Sequence, residues 1–328
     1  MRLDPRFLIL LIPILVIGAV SFFAYVLPAE WRVRQIRIPL HTVAAVVGLL
    51  VAAQAPLDFA RDVPQTPQAI IEANDVLHAA GMRDASEALS TDLLLQDLNS
   101  LSRKRFTQAN DLRLNQDTLD NLLNLARDKS FDFVIYDNDA GPKIYPNLNN
   151  LLSPESRPAG LVPIYIEPER KFVVYAVDDH SASSNSPFAI FDQGVSLDRY
   201  RVEVSRPLAD PGAWDVGVYL DWRPDRPLPS YKVFIHVLDE NGQLVAQDDS
   251  IPALWTYPTS SWQPGETVVD FHRVRLSNAD PNKPYTLVVG MYDEATGDRL
   301  GRIDASGKVI DDKVVLETLK LKPDNSGS

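Results

Sequence analysis

The chain has 328 residues, 45% of them hydrophobic, and a formal net charge of -12 with 32 Lys and Arg against 44 Asp and Glu. That acidic balance excludes a nucleic-acid binder, which needs a basic face to neutralise phosphates. The absence of cysteine excludes disulfides, thiolate metal sites and thiol nucleophiles.

From Phe7 to Leu27 the chain reads FLILLIPILVIGAVSFFAYVL without a charge, the length an apolar helix needs to cross a hydrocarbon core of about 30 Å. A second charge-free run, IPLHTVAAVVGLLVAAQAPL over 38–57, is weakened by His41 and Gln54. Residues 1–62 are therefore expected to be two transmembrane helices in a lipid bilayer. Pro13 and Gly18 are tolerable in a spanning helix. A cleaved signal peptide is the rival for the first run, which is longer than a signal core and has no small-residue cleavage pattern close behind it. Between the runs lies PAEWRVRQIR with Arg32, Arg34 and Arg37. The bias of basic loops toward the cytoplasm puts this loop inside and the rest of the chain outside, with Arg2 and Arg6 pulling the other way. The expected setting is a two-pass protein of the cell membrane with extracytoplasmic C-terminal domains.

Over 63–180 helical and strand patterns alternate, which predicts a small Rossmann-like α/β domain with a largely parallel sheet and no Gly-rich phosphate loop. TPQAIIEANDVLHAAGM carries Ile70, Ile71, Val76 and Leu77 at helical spacing and stops at Gly81; DTLDNLLNLARDKS repeats the pattern after Asp117. FDFVIYDND reads as a short strand, NLNNLLSPES as a helix-like piece, and LVPIYIEP with KFVVYAVDD as a hairpin turning at Glu169 and Arg170. HSASSNSP contributes a polar linker, 181–187. Over 188–321 only strands follow, in the segments YRVEVSR, VGVYLDW, YKVFIHVLD, QLVAQDD, TVVDFHRVRL, YTLVVGMYD and VVLETLKL, and they predict a β-sandwich of roughly eight strands. Val233, Ile235 and Val237 fall on one face and Lys232, Phe234 and His236 on the other. Residues 322–328 read as a disordered tail. The fold class is thus membrane-anchored, multidomain α+β.

The histidines His41, His78, His180, His236 and His272 lack the close spacings of a metal site, so no metal and no cofactor is expected. Asp137-Asn138-Asp139-Ala140-Gly141 begins like a calcium loop, but its glycine is one place early and no closing glutamate follows, so it reads as a polar turn. Its place at a strand end makes Asp137 and Asp139 the first suspects for a ligand on this domain. Ser260 and Ser261 lie in no nucleophile pattern, and Asp178-Asp179 and Asp248-Asp249 read as solvated turns. Trp255, Tyr257 and Trp262, three rings in eight residues, form either a platform for stacking sugar rings or part of the sandwich core.

The segments YKVFIHVLDENGQLVAQDD, YPTSSWQPGETVVDFHRVRL and YTLVVGMYDEATGDRL together resemble the extracytoplasmic C-terminal module of bacterial glycosyltransferases of family 39, the protein-mannosyltransferase-like membrane enzymes. ANDVLHAAGMRDASEALSTD, FDFVIYDND and LVPIYIEPERKFVVYAV are similar to the region after their last membrane helix, and AAQAPLDFARD resembles that helix. The resemblance implies a place in a system using a lipid-linked sugar. Its catalytic acids lie on a first outer loop, whereas the loop here holds one acid, Glu30, on the side assigned to the cytoplasm, so no catalytic residue carries over. The leading expectation is an accessory or C-terminal part of a glycosyltransferase system that binds a glycan, an acceptor or a polytopic catalytic subunit and does no chemistry alone. The alternatives are a cell-envelope enzyme with a carboxylate site at Asp137 and Asp139, or a structural module of a membrane complex. Exposure of the Trp255–Trp262 loop separates binding from scaffolding.

Overall fold

The computed structural model describes residues 30–33, 36–39, 68–83, 88–90, 107–108, 119–137, 157–167, 172–178 and 186–321. The chain divides into a unit of Met1–Gln65 and a unit of Thr66–Ser328. In the first unit, β1 (Glu30–Val33) and β2 (Ile36–Pro39) form an antiparallel pair with Arg32 opposite Arg37. The stretch expected as a loop leading into a membrane helix is a hairpin because its apolar residues, Trp31, Val33, Ile36 and Ile38, alternate with polar ones at the period of a strand. Ile38 and Pro39, the first two residues of the expected second span, belong to β2. The rest of that span, the whole of 7–27 and the tail 322–328 lie outside the described residues.

The second unit begins with α1 (Gln68–Ala79), which ends at Gly81 with φ of 104°, a backbone conformation that favours glycine. Then follow β3 (Ala88–Ser90), β4 (Thr107–Gln108), α2 (Leu119–Asp128), β5 (Phe133–Asp137), β6 (Leu161–Ile166) and β7 (Phe172–Val177). Their sheet has the order β4-β3-β5-β7-β6. Only β3 with β4 and β3 with β5 are parallel; β7 runs antiparallel to both β5 and β6. The expected Rossmann-like, largely parallel sheet is therefore a mixed one: β6 and β7 are joined by five residues, too few for a crossover, and must form a hairpin. NLNNLLSPES lies outside the described residues.

The remaining strands are β8 (Ala189–Phe191), β9 (Val195–Ser205), β10 (Trp214–Pro224), β11 (Tyr231–Leu238), β12 (Leu244–Ser250), β13 (Val268–Leu276), β14 (Tyr285–Asp293), β15 (Arg302–Ile303), β16 (Val309–Asp311) and β17 (Val314–Leu319). A six-stranded sheet, β13-β10-β9-β8-β15-β16, faces a four-stranded one, β12-β11-β14-β17, and every pairing in them is antiparallel. This is a β-sandwich. Val233, Ile235 and Val237 are fully buried in its core with Trp222, Val216 and Val218.

The outer face of the six-stranded sheet is not left to water. Tyr219, Val269 and Phe271 share a second apolar core with Ile70, Val76 and Leu77 of α1 and with Phe133, Ile135 and Val174 of the mixed sheet. A third core lies on the other face of that sheet, where Val134, Tyr136 and Tyr175 meet Leu122, Leu123 and Ala126 of α2. Strand periodicity sends alternate residues of β5 to these two cores. The layers thus run α2, mixed sheet, α1 against the six-stranded sheet, then the four-stranded sheet. Polar ties cross the second core: Asp75, buried on α1, accepts from the N–H groups of Leu208 (2.5 Å) and Ala209 (3.2 Å), and Tyr219 donates its hydroxyl hydrogen to the Ala80 carbonyl at 3.0 Å.

The expected fold class is corrected by these observations. The described residues are mostly β-sheet, with helical segments of 12, 10 and 4 residues besides one 3-10 turn, and no helix among them is long and apolar enough to cross a membrane.

Candidate functional site

At the sandwich edge where β12 and β13 come together, three ionisable side chains form a chain. His272 is fully buried; its Nδ1 lies 2.6 Å from Asp248 Oδ2 and its Nε2 2.8 Å from Asp270 Oδ2. Burial alone would push the imidazole's pKa down, but the Asp270 charge and the hydrogen bonds to both carboxylates outweigh it and hold the pKa up at about 10. His272 is therefore a cation at neutral pH, donating to an acid on either side. Asp270 has no exposed surface, whereas the Asp248 side chain retains 35% of its own.

Asp270 also accepts, through Oδ1, from the Ala253 N–H at 2.8 Å. That contact anchors the turn Pro252–Trp255, where Ala253, Leu254 and Trp255 have φ of 54°, 53° and 67°. Three successive non-glycine residues in the left-handed region cost about 1–2 kcal/mol each, so the turn persists only because its surroundings fix it. Further ties are the Trp255 N–H to the Ile251 carbonyl at 2.9 Å and the Tyr257 N–H to the Pro252 carbonyl at 3.2 Å.

The turn lifts Trp255 out, 56% exposed. The Lys232 ammonium sits 4.8 Å from its ring centroid and is held by Glu294 at 3.4 Å, a cation over an aromatic face. The ring also borders an open cleft of about 310 Å³ that Tyr165 of β6, Asp248, Phe271 and Arg273 line, while Lys232 is no part of that lining. Burial, aided by the Glu167 charge, pushes the Tyr165 hydroxyl up to about 12, so it stays protonated. Arg273 pairs with Glu72 of α1 and with buried Asp215 at 3.3 Å, and burial beside Arg275 pulls it down to about 10. The cleft therefore joins one exposed indole to acceptors and donors held by ion pairs, a combination suited to a polar ligand with apolar faces.

The expected aromatic trio is divided. Trp262 is 2% exposed in the sandwich core, and its Nε1–H donates to the Tyr257 carbonyl at 3.2 Å. Tyr257 is partly buried against the same core, its hydroxyl 3.0 Å and 3.2 Å from the two Glu266 oxygens. Trp255 alone of the three stands out on the left-handed turn. Asp137 ends β5, and Asp139 lies outside the described residues. Among the described residues no group of three or more His, Asp or Glu could hold a metal ion.

Asp248 is not the solvated turn residue its pairing with Asp249 suggests, since it closes the buried histidine chain. A signal was present: on TVVDFHRVRL the alternation that buries Val268, Val274 and Leu276 also places Asp270 and His272 inward, and buried ionisable groups need partners. The partners Asp248 and the Ala253 amide are distant in sequence and gave no such signal.

No protein-family model matches the chain, and no curated protein matches it. Solved structures align to part of it. A β-glucuronidase of glycoside hydrolase family 2 shares 10% identity over 40% of this chain and 13% of its own, with a TM-score of 0.24. A glycosyl hydrolase family 2 member from Bacteroides cellulosilyticus shares 13% over 48% and 16%, at 0.26. The C-terminal domain of Wzt shares 13% over 44% and 91%, at 0.29. The aligned part is less than a fifth of either hydrolase, and likeness of this size carries no functional argument. The resemblance to glycosyltransferases of family 39 is not upheld: no family model matches the chain, no glycosyltransferase is among the structures named above, and its segments YKVFIHVLDENGQLVAQDD, YPTSSWQPGETVVDFHRVRL and YTLVVGMYDEATGDRL are built on sandwich strands, a pattern that many unrelated proteins share.

Proposed function

We propose that this protein is a carbohydrate-binding module that holds a glycan against Trp255 in the cleft bordered by Tyr165, Asp248 and Arg273, and performs no chemistry alone. The observation that carries the reading is the indole itself: a large ring kept more than half exposed by a strained turn that buried groups clamp in place. An indole with no such task gains by burial, as Trp262 does. The ring face of a sugar suits the indole, and its hydroxyls suit a carboxylate acceptor and phenol and guanidinium donors. A membrane setting belongs to the same proposal, supported by the charge-free run from Phe7 to Leu27, and co-flotation of the full chain with membranes tests it.

The test is an array of neutral and acidic oligosaccharides probed with the wild-type chain, with Trp255→Ala, and with Leu208→Ala as a control at another exposed apolar residue. Binding by wild type and the control, lost in Trp255→Ala, supports the proposal. Silence of the wild type across the array, or equal binding by Trp255→Ala, contradicts it.

A further inference from the structure

The seam between β6 and the turn has a second hollow at its other end. Ile164, Tyr165 and Ile166 with Leu254 and Trp255 border the cleft already described, while Leu161, Val162 and Pro163 with Ala253 and Tyr257 border a smaller cavity of about 120 Å³. Arg157, four residues before β6, forms part of its wall. We propose that this hollow is a subsite for the carboxylate of an acidic sugar, received by the Arg157 guanidinium, so that the glycan bound at Trp255 is an acidic one; the inference rests on the glycan-binding reading.

Arg157 carries a charge that no carboxylate among the described residues meets. Arg157 is partly buried, and burial pulls its pKa below the usual arginine value, against a smaller opposite influence of Tyr175 and Tyr257. A cation drawn partly out of water is stabilised by a nearby anion, because a close partner offsets its desolvation. Among the described residues Arg157 has no such partner: its side chain makes one long hydrogen bond, from Nη1 to Thr256 Oγ1 at 3.4 Å. One carboxylate, that of Glu266, lines the same hollow but is engaged elsewhere, accepting from the Tyr257 hydroxyl and, at 2.7 Å, from the Gln263 N–H. Arg157 therefore presents unused donors to a cavity with room for a few water molecules or one carboxylate. Its planar fork matches a carboxylate in two parallel hydrogen bonds.

The contact with Thr256 links the two hollows. Thr256 Oγ1 in turn donates to the Ala253 carbonyl at 2.6 Å, within the turn that carries Trp255. Arg157 is thus tied to the residue that follows the stacking ring in the chain.

The experiment uses the full chain and sodium D-glucuronate, with D-glucose, sodium sulfate and sodium chloride as comparisons, the salts at equal ionic strength. Glucuronate at about ten times its Kd is expected to raise the wild-type melting temperature by about 2–4 °C, while glucose and chloride do not. Arg157→Gln should abolish the shift and Arg157→Lys, which keeps the charge but not the fork, should retain part of it. An equal shift in Arg157→Gln overturns the subsite, as does a shift that chloride reproduces. A shift with sulfate and none with glucuronate overturns it as a sugar-carboxylate site. Neutral oligosaccharides separate the two proposals: if they bind and depend on Trp255 while glucuronate has no Arg157-dependent effect, the subsite alone fails. A glucuronate effect that needs Arg157, without any oligosaccharide binding that needs Trp255, would sink the platform alone.

Discussion

His272 ties the stability of the sandwich to pH. Its folded pKa of about 10 lies above the ordinary value of 6.5, so protons bind the native state more tightly than the unfolded one. The stability it contributes is fully present below pH 6.5 and is lost as the pH rises through about 10. Urea unfolding of the wild type should accordingly show a midpoint that falls between pH 6.5 and 10, and His272→Gln should flatten that dependence. The same substitution leaves two buried or half-buried carboxylates without their cation and should cost about 3–5 kcal/mol at pH 6. An unchanged midpoint at pH 6 would show that the histidine is not charged in the native state.

At the scale of elements, α1 fits closely onto β10 at Gly217. A Cβ at Gly217 would stand 1.9 Å from the Ala79 carbonyl oxygen, a backbone atom at the helix end. Gly217→Ala should thus push α1 off the six-stranded sheet and lower stability by about 1–3 kcal/mol or more, read as a lower urea midpoint. The strands of the sandwich were legible in the sequence, because Val233, Ile235 and Val237 alternate with polar or outer-face residues and a two-sided antiparallel sheet leaves that mark. Helices α1 and α2 were legible from their spacing and from Gly81. The antiparallel run of β6 and β7 was legible too, read as a hairpin at Glu169 and Arg170, whereas the antiparallel pairing of β7 with β5, which makes the sheet mixed, left no local mark. The cover over Tyr219 and Phe271 was not legible, since an outward Tyr or Phe on a strand looks the same whether water or a helix lies over it. The site was half legible: three aromatic residues stood out, but which one is exposed depends on left-handed backbone at Ala253, Leu254 and Trp255, none of which is a glycine or asparagine that would signal it.

Across the whole second unit, the mixed sheet and the sandwich share an apolar core and the ion-pair series Glu72, Arg273, Asp215, Arg275 and Asp75. The two parts should therefore unfold in one transition followed alike by fluorescence and circular dichroism, and a fragment 186–328 should expose Tyr219, Val269 and Phe271 and bind a hydrophobic dye that the longer chain does not. Two separate transitions, or a dye-free fragment, would contradict the shared core. Tyr165 comes from one part and Trp255, Asp248 and Arg273 from the other, so the cleft they border exists only while the two parts stay together.

The measurement that bears most directly on the account is the affinity of the wild type and of Trp255→Ala for the oligosaccharide that binds most tightly on the array, taken by calorimetry alongside their melting temperatures. Loss of the platform ring should cost about 2 kcal/mol or more, some thirtyfold in Kd, with little change in stability because the ring is exposed. Equal affinities would contradict the assignment of the cleft as the glycan site.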